Sequence, residues 1–175
     1  MSCWVHIAGG FILDTILPVM SNNPKKTFID ICKHIFEIFG GIKIYSEFLE
    51  DHDQYWAGEP TFAEWAKNTV PEYTNSSKPQ LTGSEGSIKL RVLLLNEANF
   101  VPCIFLCIAG NLRDRGETEE DTKEIAETLK KCLEKLTLMK NNLVSLRVGS
   151  VKIVSENGYE FTISCYEEKL DLINK

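Results

Sequence analysis

Ile88-Lys-Leu-Arg-Val-Leu-Leu-Leu95, a turn at Asn96–Asn99, and then Val101-Pro-Cys-Ile-Phe-Leu-Cys-Ile-Ala109 are the residues that decide the fold. In the first run Ile88, Leu90, Val92 and Leu94 alternate with Lys89 and Arg91, the period of a strand with one face in the core. The second run is almost continuously apolar, which predicts a central strand buried on both sides. Pro102 stands near its start, where a missing donor is tolerated. Gly110-Asn-Leu-Arg-Asp-Arg-Gly116 then reads as a loop into Thr118-Glu-Glu-Asp121, an N-cap followed by acidic first-turn residues. Ile125, Leu129, Cys132, Leu133 and Leu136 make the buried stripe of the long helix that follows.

Upstream, Cys3 to Leu13 is rich in β-formers, and its Gly9-Gly10 pair predicts a bulge or a close backbone approach. Asn23-Pro24 opens a helix whose Phe28, Ile31, Cys32, Ile35, Phe36 and Phe39 share one face up to Gly40-Gly41. Downstream, Leu143 to Val154 reads as strand, and Asn157-Gly158 as a tight turn into a strand carrying Tyr159, Phe161, Ile163 and Cys165. The order predicts an α+β fold: a ferredoxin-like antiparallel sheet with two long helices on one face, an irregular insertion and an added C-terminal strand. At 175 residues the chain is expected to be a single domain, 1–175, with an acidic, aromatic-rich insertion at 41–87. Within that insertion, Ile42–Tyr45 has strand character, and Thr61 with Glu64 forms a capping-box pattern before Phe62, Trp65 and Ala66.

Composition excludes several classes. With 43% hydrophobic and 25% charged residues the chain is neither low-complexity nor disordered. A net charge of −6 argues against duplex nucleic acid, which requires a basic patch. Residues 1–13 lack a basic segment, and their apolar run is broken by His6, Gly9 and Gly10, so a cytoplasmic protein without membrane association is expected. The six cysteines, Cys3, Cys32, Cys103, Cys107, Cys132 and Cys165, sit in apolar surroundings without a Cys-x-x-Cys pair and read as reduced thiols. On a strand, the Cα atoms of Cys103 and Cys107 would stand about 13 Å apart, too far for a disulfide.

No catalytic residues, metal ligands or cofactors are assigned, and a non-enzymatic role is expected. His6, His34 and His52 match no nucleophile–base signature. Glu50-Asp51-His52-Asp53 lacks metal-site spacing and reads as a solvated acidic loop. Neither phosphate-binding glycine motif is present, and Gly83-Ser-Glu-Gly86 carries an acid where a phosphate would sit.

Two candidate surfaces remain. Residues 1–86 hold 6 basic and 11 acidic side chains, against 13 and 14 in residues 87–175. Between Tyr45 and Tyr73 seven acids face one base, Lys67, and are interleaved with Phe48, Tyr55, Trp56, Phe62 and Trp65. Glu50, Asp51, Asp53, Tyr55, Trp56 and Trp65 are therefore the expected partner-binding residues, since charge steers encounter and aromatic side chains anchor it. The competing reading is a satellite core with its acids in water. Arg113 and Arg115, ahead of the helix opening at Thr118, are the expected ligand-binding residues for a small anionic, nucleotide-like molecule. Asp114, Glu117, Glu119 and Glu120 lie beside them as alternative ion-pair partners. A homodimer through an exposed sheet edge or face is compatible with this fold class.

Met1-Ser-Cys-Trp-Val-His-Ile-Ala-Gly-Gly10, Thr82-Gly-Ser-Glu-Gly86 and Gly110-Asn-Leu-Arg-Asp114 before a helix resemble segments of small proteins encoded in tailed-phage and prophage genomes. Asn111 and Arg115 stand where such proteins carry Asp and Tyr. The resemblance implies a phage-related origin, a bacterial cytoplasm and accessory or anti-host work, and it brings no catalytic residues; the acidic, aromatic insertion and the absence of catalytic motifs add the expectation that the chain binds a bacterial host or defence protein.

Overall fold

The computed structural model describes residues 2–15, 84, 88–95, 103–137, 144–167 and 169–174, together with Ile31, Ile35, Ile38 and Phe39. Six strands are present: β1 Trp4–Thr15, β2 Ile88–Leu95, β3 Cys103–Arg113, β4 Val144–Ser155, β5 Glu160–Tyr166 and β6 Lys169–Asn174. One long helix, α1, spans Glu119–Thr137. The strands form a single sheet in the order β2-β3-β1-β4-β5-β6, with every neighbouring pair antiparallel. β1 lies inside the sheet, paired with β3 from Trp4↔Arg113 to Asp14↔Cys103 and with β4 on its other side.

Alternation decides which face is buried. Val5, Ile7, Phe11 and Leu13 of β1, Ile104, Leu106, Ile108 and Leu112 of β3, and Phe161, Ile163 and Cys165 of β5 join one cluster. That cluster includes Ile125, Leu129, Cys132, Leu133 and Leu136 of α1, which packs over β4, β5 and β6. Each fully buried aliphatic or aromatic side chain contributes about 1.5–3 kcal/mol. The start of α1 is closed as expected: Thr118 N donates to Asp121 Oδ2 at 3.0 Å, and Asp121 N donates to Thr118 Oγ1 at 3.2 Å.

In β4 the buried positions change parity, from Val144 and Leu146 to Val151 and Ile153. The register accommodates this with one extra residue: Ile12 faces Val148 while Leu13 faces Leu146, leaving Arg147 as a bulge. Of the two readings of Gly9-Gly10, the close backbone approach is the one found. A Cβ on Gly9 would collide with the Ser150 carbonyl oxygen, and one on Gly10 would lie 2.6 Å from Phe105 Cζ.

Three expectations are corrected. The ferredoxin-like arrangement with two long helices on one face gives way to a six-stranded sheet with one helix, α1, among the described residues. Of the expected first helix, Ile31, Ile35, Ile38 and Phe39 are helical, and Ile31, Ile35 and Phe39 are buried in the shared core; its remaining positions lie outside the described residues. The C-terminal addition is longer than expected, since β6 follows β5. Its turn was hidden because Glu167, not the usual glycine or asparagine, takes the left-handed conformation there, with φ 48°. Finally, β3 is buried on one face only and continues through Gly110–Arg113, because Phe105, Cys107 and Ala109 are merely half-buried on the other face.

Candidate functional site

The expected ligand-binding arginines sit where β3 leaves the sheet. Arg113 ends β3 opposite Trp4, Asp114 adopts φ 57°, and Arg115 lies in the turn before α1; both arginines are half-buried. The surroundings are knitted from the protein's own groups. Asp114 N donates to Cys3 O at 2.8 Å, Ser84 N donates to Arg113 O at 3.0 Å, and Ser84 Oγ donates to Asp114 Oδ2. Arg113 and Arg115 each make interactions within the protein. The first turn of α1 already holds a carboxylate, that of Asp121 on Thr118 N.

Beneath this turn, Ser155 Oγ donates to Gly116 O at 2.7 Å and accepts from Asn157 N at 3.1 Å, while Cys3 Sγ lies 3.3 Å from Gly116 O. Gly116 has φ 78°, and a Cβ there would strike Val5 Cγ2. The arrangement ties the N-terminal end of β1 to the turn leading into α1. It leaves Cys3 and Ser155 buried and committed to a backbone carbonyl, a structural tie; among the described residues no base is positioned to activate either nucleophile.

The expected partner-binding residues Glu50, Asp51, Asp53, Tyr55, Trp56 and Trp65 lie outside the described residues, as do His34 and His52. His6 is on β1, facing away from the core, with Nδ1 2.9 Å from Asn111 Oδ1 across the β1–β3 ladder. Cys107 belongs to the same face but pairs with Gly10, four residues along β1 from His6, which is about 13 Å of strand. The two do not form a thiol–imidazole couple. Among the described residues, no group of three or more His, Cys, Asp or Glu side chains converges as a metal site. Cys3, Cys107, Cys132 and Cys165 are free thiols, and burial pushes the Cys132 thiol above its ordinary pKa against a smaller opposing pull from Lys135.

What the sequence reading missed is the sheet face opposite α1. Following the register, Leu93 of β2 meets Phe105 of β3, Phe105 meets Ile12 of β1, Ile12 meets Val148 of β4, and Val148 meets Tyr166 of β5. Four strands thus place one apolar residue each, Phe105, Ile12, Val148 and Tyr166, in a single transverse row about 14 Å long at ordinary strand spacing, and the same line reaches Lys169 in β6. Val148, Tyr166 and Ile173 are 39%, 70% and 45% exposed, and all three belong to this face. Beside the row the face is low: Gly10, Cys107 and Ser150 share the next register line, then Ala8 and Ala109. The exposure of Ala8 and Ser150 shows that the middle of the face is open to solvent.

Two described cations on or beside this surface are matched by acids, while exposed Lys169, opposite Tyr166 in the register, makes no ion pair among the described residues. Arg147 lies 3.6 Å from Asp14, and Lys152 lies 2.9 Å from Glu160. Its described side chains therefore present an apolar row, half-buried at Phe105 and Ile12 and exposed at Val148 and Tyr166, with Lys169 at its β6 end.

No protein-family model, curated protein or solved structure matches the chain. No helix among the described residues is long and apolar enough to cross a membrane.

Proposed function

We propose that this chain works by binding another protein, without catalysis, and that the open sheet face is its docking surface. The observation that carries this reading is the apolar row Phe105–Ile12–Val148–Tyr166, half-buried at Phe105 and Ile12 and exposed at Val148 and Tyr166, with the ion pairs Arg147–Asp14 and Lys152–Glu160 near it. An apolar centre with a balanced polar rim is the anatomy of a protein–protein interface, and tyrosine is among the residues that most often dominate the binding energy of one. The partner is a protein with an apolar patch of matching width. A bacterial host protein is the first class to test, supported by the resemblance of the N-terminal and Gly110–Asp114 segments to phage-encoded proteins. The anionic-ligand reading is set aside, because Arg113 and Arg115 are already engaged and Asp121 caps α1.

A photo-crosslinking amino acid placed at Tyr166 should capture one discrete protein from a bacterial lysate. The same probe at Glu127, exposed on α1, should capture none, and Val148→Asp should abolish the adduct. Equal capture from both positions, or an adduct that survives Val148→Asp, would overturn the assignment of the face.

A further inference from the structure

The sheet ends at β6, which is hydrogen-bonded by β5 on one side; among the described residues no strand pairs with its other side. Its ladder to β5 is regular from Phe161↔Asn174 to Tyr166↔Lys169, with neither a bulge nor a proline in the strand. Both devices commonly blunt edge strands, so this edge presents a straight row of backbone donors and acceptors. The layer above it is also incomplete. Leu170 and Leu172 point to the core side and pack against the cluster, yet both remain only partly buried, unlike Phe161, Ile163 and Cys165 one strand inward.

Next to this shoulder is a cleft of about 450 Å³ between the first turns of α1 and the outer strands, lined by Glu119, Glu120, Lys123, Phe161, Leu172 and Asn174. Its floor is apolar, formed by Phe161 and Leu172. Its rim carries two carboxylates against one ammonium, and Asn174 Nδ2 donates to Glu119 Oε1 at 2.7 Å. A regular free edge beside a helix, with an apolar-floored cleft between them, combines the two elements of recognition by strand addition: backbone hydrogen bonds for affinity and a side-chain pocket for selectivity.

We infer that β6 and the cleft beside α1 form a second binding site, distinct from the open face, which takes an extended peptide segment as a seventh strand. The occupant's chemistry follows from register. In an added strand the side chains on the core side recur every second residue, so they fall opposite Leu170, Leu172 and Asn174. Opposite the two leucines they complete the unfinished apolar layer and must be apolar. Opposite Asn174 the side chain reaches the rim that holds Glu119 and Glu120, and charge complementarity selects Lys or Arg. Continued antiparallel pairing, as in every other ladder of this sheet, gives the order basic-x-apolar-x-apolar from N- to C-terminus.

The test uses the full chain and the synthetic peptide acetyl-Thr-Lys-Thr-Val-Thr-Val-Thr-amide. Hydrogen exchange should show saturable protection of the amides of Leu170 to Asn174 on titration. Replacing the peptide's lysine by glutamate, or making the exposed-rim change Glu119→Lys with Glu120→Lys in the protein, should each weaken binding about tenfold, the worth of one charge-assisted contact. Restoring the charge match by combining the glutamate peptide with the lysine variant should recover most of the loss, which separates recognition from damage to the fold. No protection at β6 with millimolar peptide, or protection insensitive to both charge changes, overturns the inference. So does concentration-dependent protection of β6 in peptide-free protein with doubled mass by light scattering, which would give the edge to a second copy. Crosslinking from Tyr166 should be unaffected by the Glu119 and Glu120 changes, so the two sites fail separately.

Discussion

Phe11 and Phe105 lie on adjacent strands within one residue of facing each other, since Phe11 pairs with Leu106 and Ile12 with Phe105. Phe11 is fully buried among core residues under the helix layer, whereas Phe105 is half-buried over Gly10 on the open side. The difference teaches that burial in this sheet is set by the side of the pleat and not by distance from the middle of the sheet. The core side carries aliphatic residues in every strand, buried inward of β6 and only partly buried at Leu170 and Leu172 of β6. The open side carries a narrow apolar row between small and polar residues, an arrangement suited to being covered by something else.

The largest test of that contrast is Phe11→Ala, which should cost about 3–5 kcal/mol in urea unfolding, whereas Phe105→Ala should cost about 1–2 kcal/mol. Equal losses would mean that the open face is a second core. Next in size, Gly116→Ala should cost about 2–3 kcal/mol, because it combines φ 78° with a collision against Val5 at the tie between β1 and α1. Chemical unfolding should show that loss, while the same substitution at Gly158, φ 89° with nothing nearby, should cost only the conformational share of about 1 kcal/mol.

A smaller effect sharpens the comparison by pH. Because burial raises the Cys132 pKa, the folded state holds its proton to higher pH than the unfolded chain does. The neutral thiol's contribution is fully present below the ordinary thiol range and is lost as pH rises through that range towards the raised folded value, by at most about 1.4 kcal/mol per pH unit. Cys132→Ala should flatten the alkaline limb of the stability–pH curve. Smallest of all, Tyr166→Ala should change stability by less than about 0.5 kcal/mol while removing partner binding. A loss of several kcal/mol at this 70% exposed residue would make it a structural side chain.

Much of the fold was legible locally. The strand at Ile88 announced itself by alternation, that at Trp4 by its β-forming residues and that at Cys103 by its nearly continuous apolar run, Thr118 by its capping pattern, and Asn157-Gly158 by its turn chemistry, with Gly158 at φ 89°. β6 escaped because Lys169-Leu-Asp-Leu-Ile-Asn174 is short and its turn uses Glu167 in place of a turn-forming residue. Of the candidate sites, Arg113 and Arg115 were correctly seen to precede a helix start, but their engagement within the protein depends on groups brought in by the fold. The apolar row across the open face was invisible, since Ile12, Phe105, Val148 and Tyr166 are scattered over more than 150 positions and each looks like an ordinary strand residue.

By itself, then, the amino-acid order determined the local periods, the cap of α1 and the chain's acidic balance, because each depends on sterics and hydrogen bonds among near neighbours. Only the tertiary structure decided that β1 lies between β3 and β4, that Arg147 is extruded so that β4 can change the parity of its buried side chains, and that Phe105, Ile12, Val148 and Tyr166 line up across four strands. Strand register is a non-local choice, settled by which pairing buries the most apolar surface at once, and a shift of one residue in any ladder the row crosses would break it.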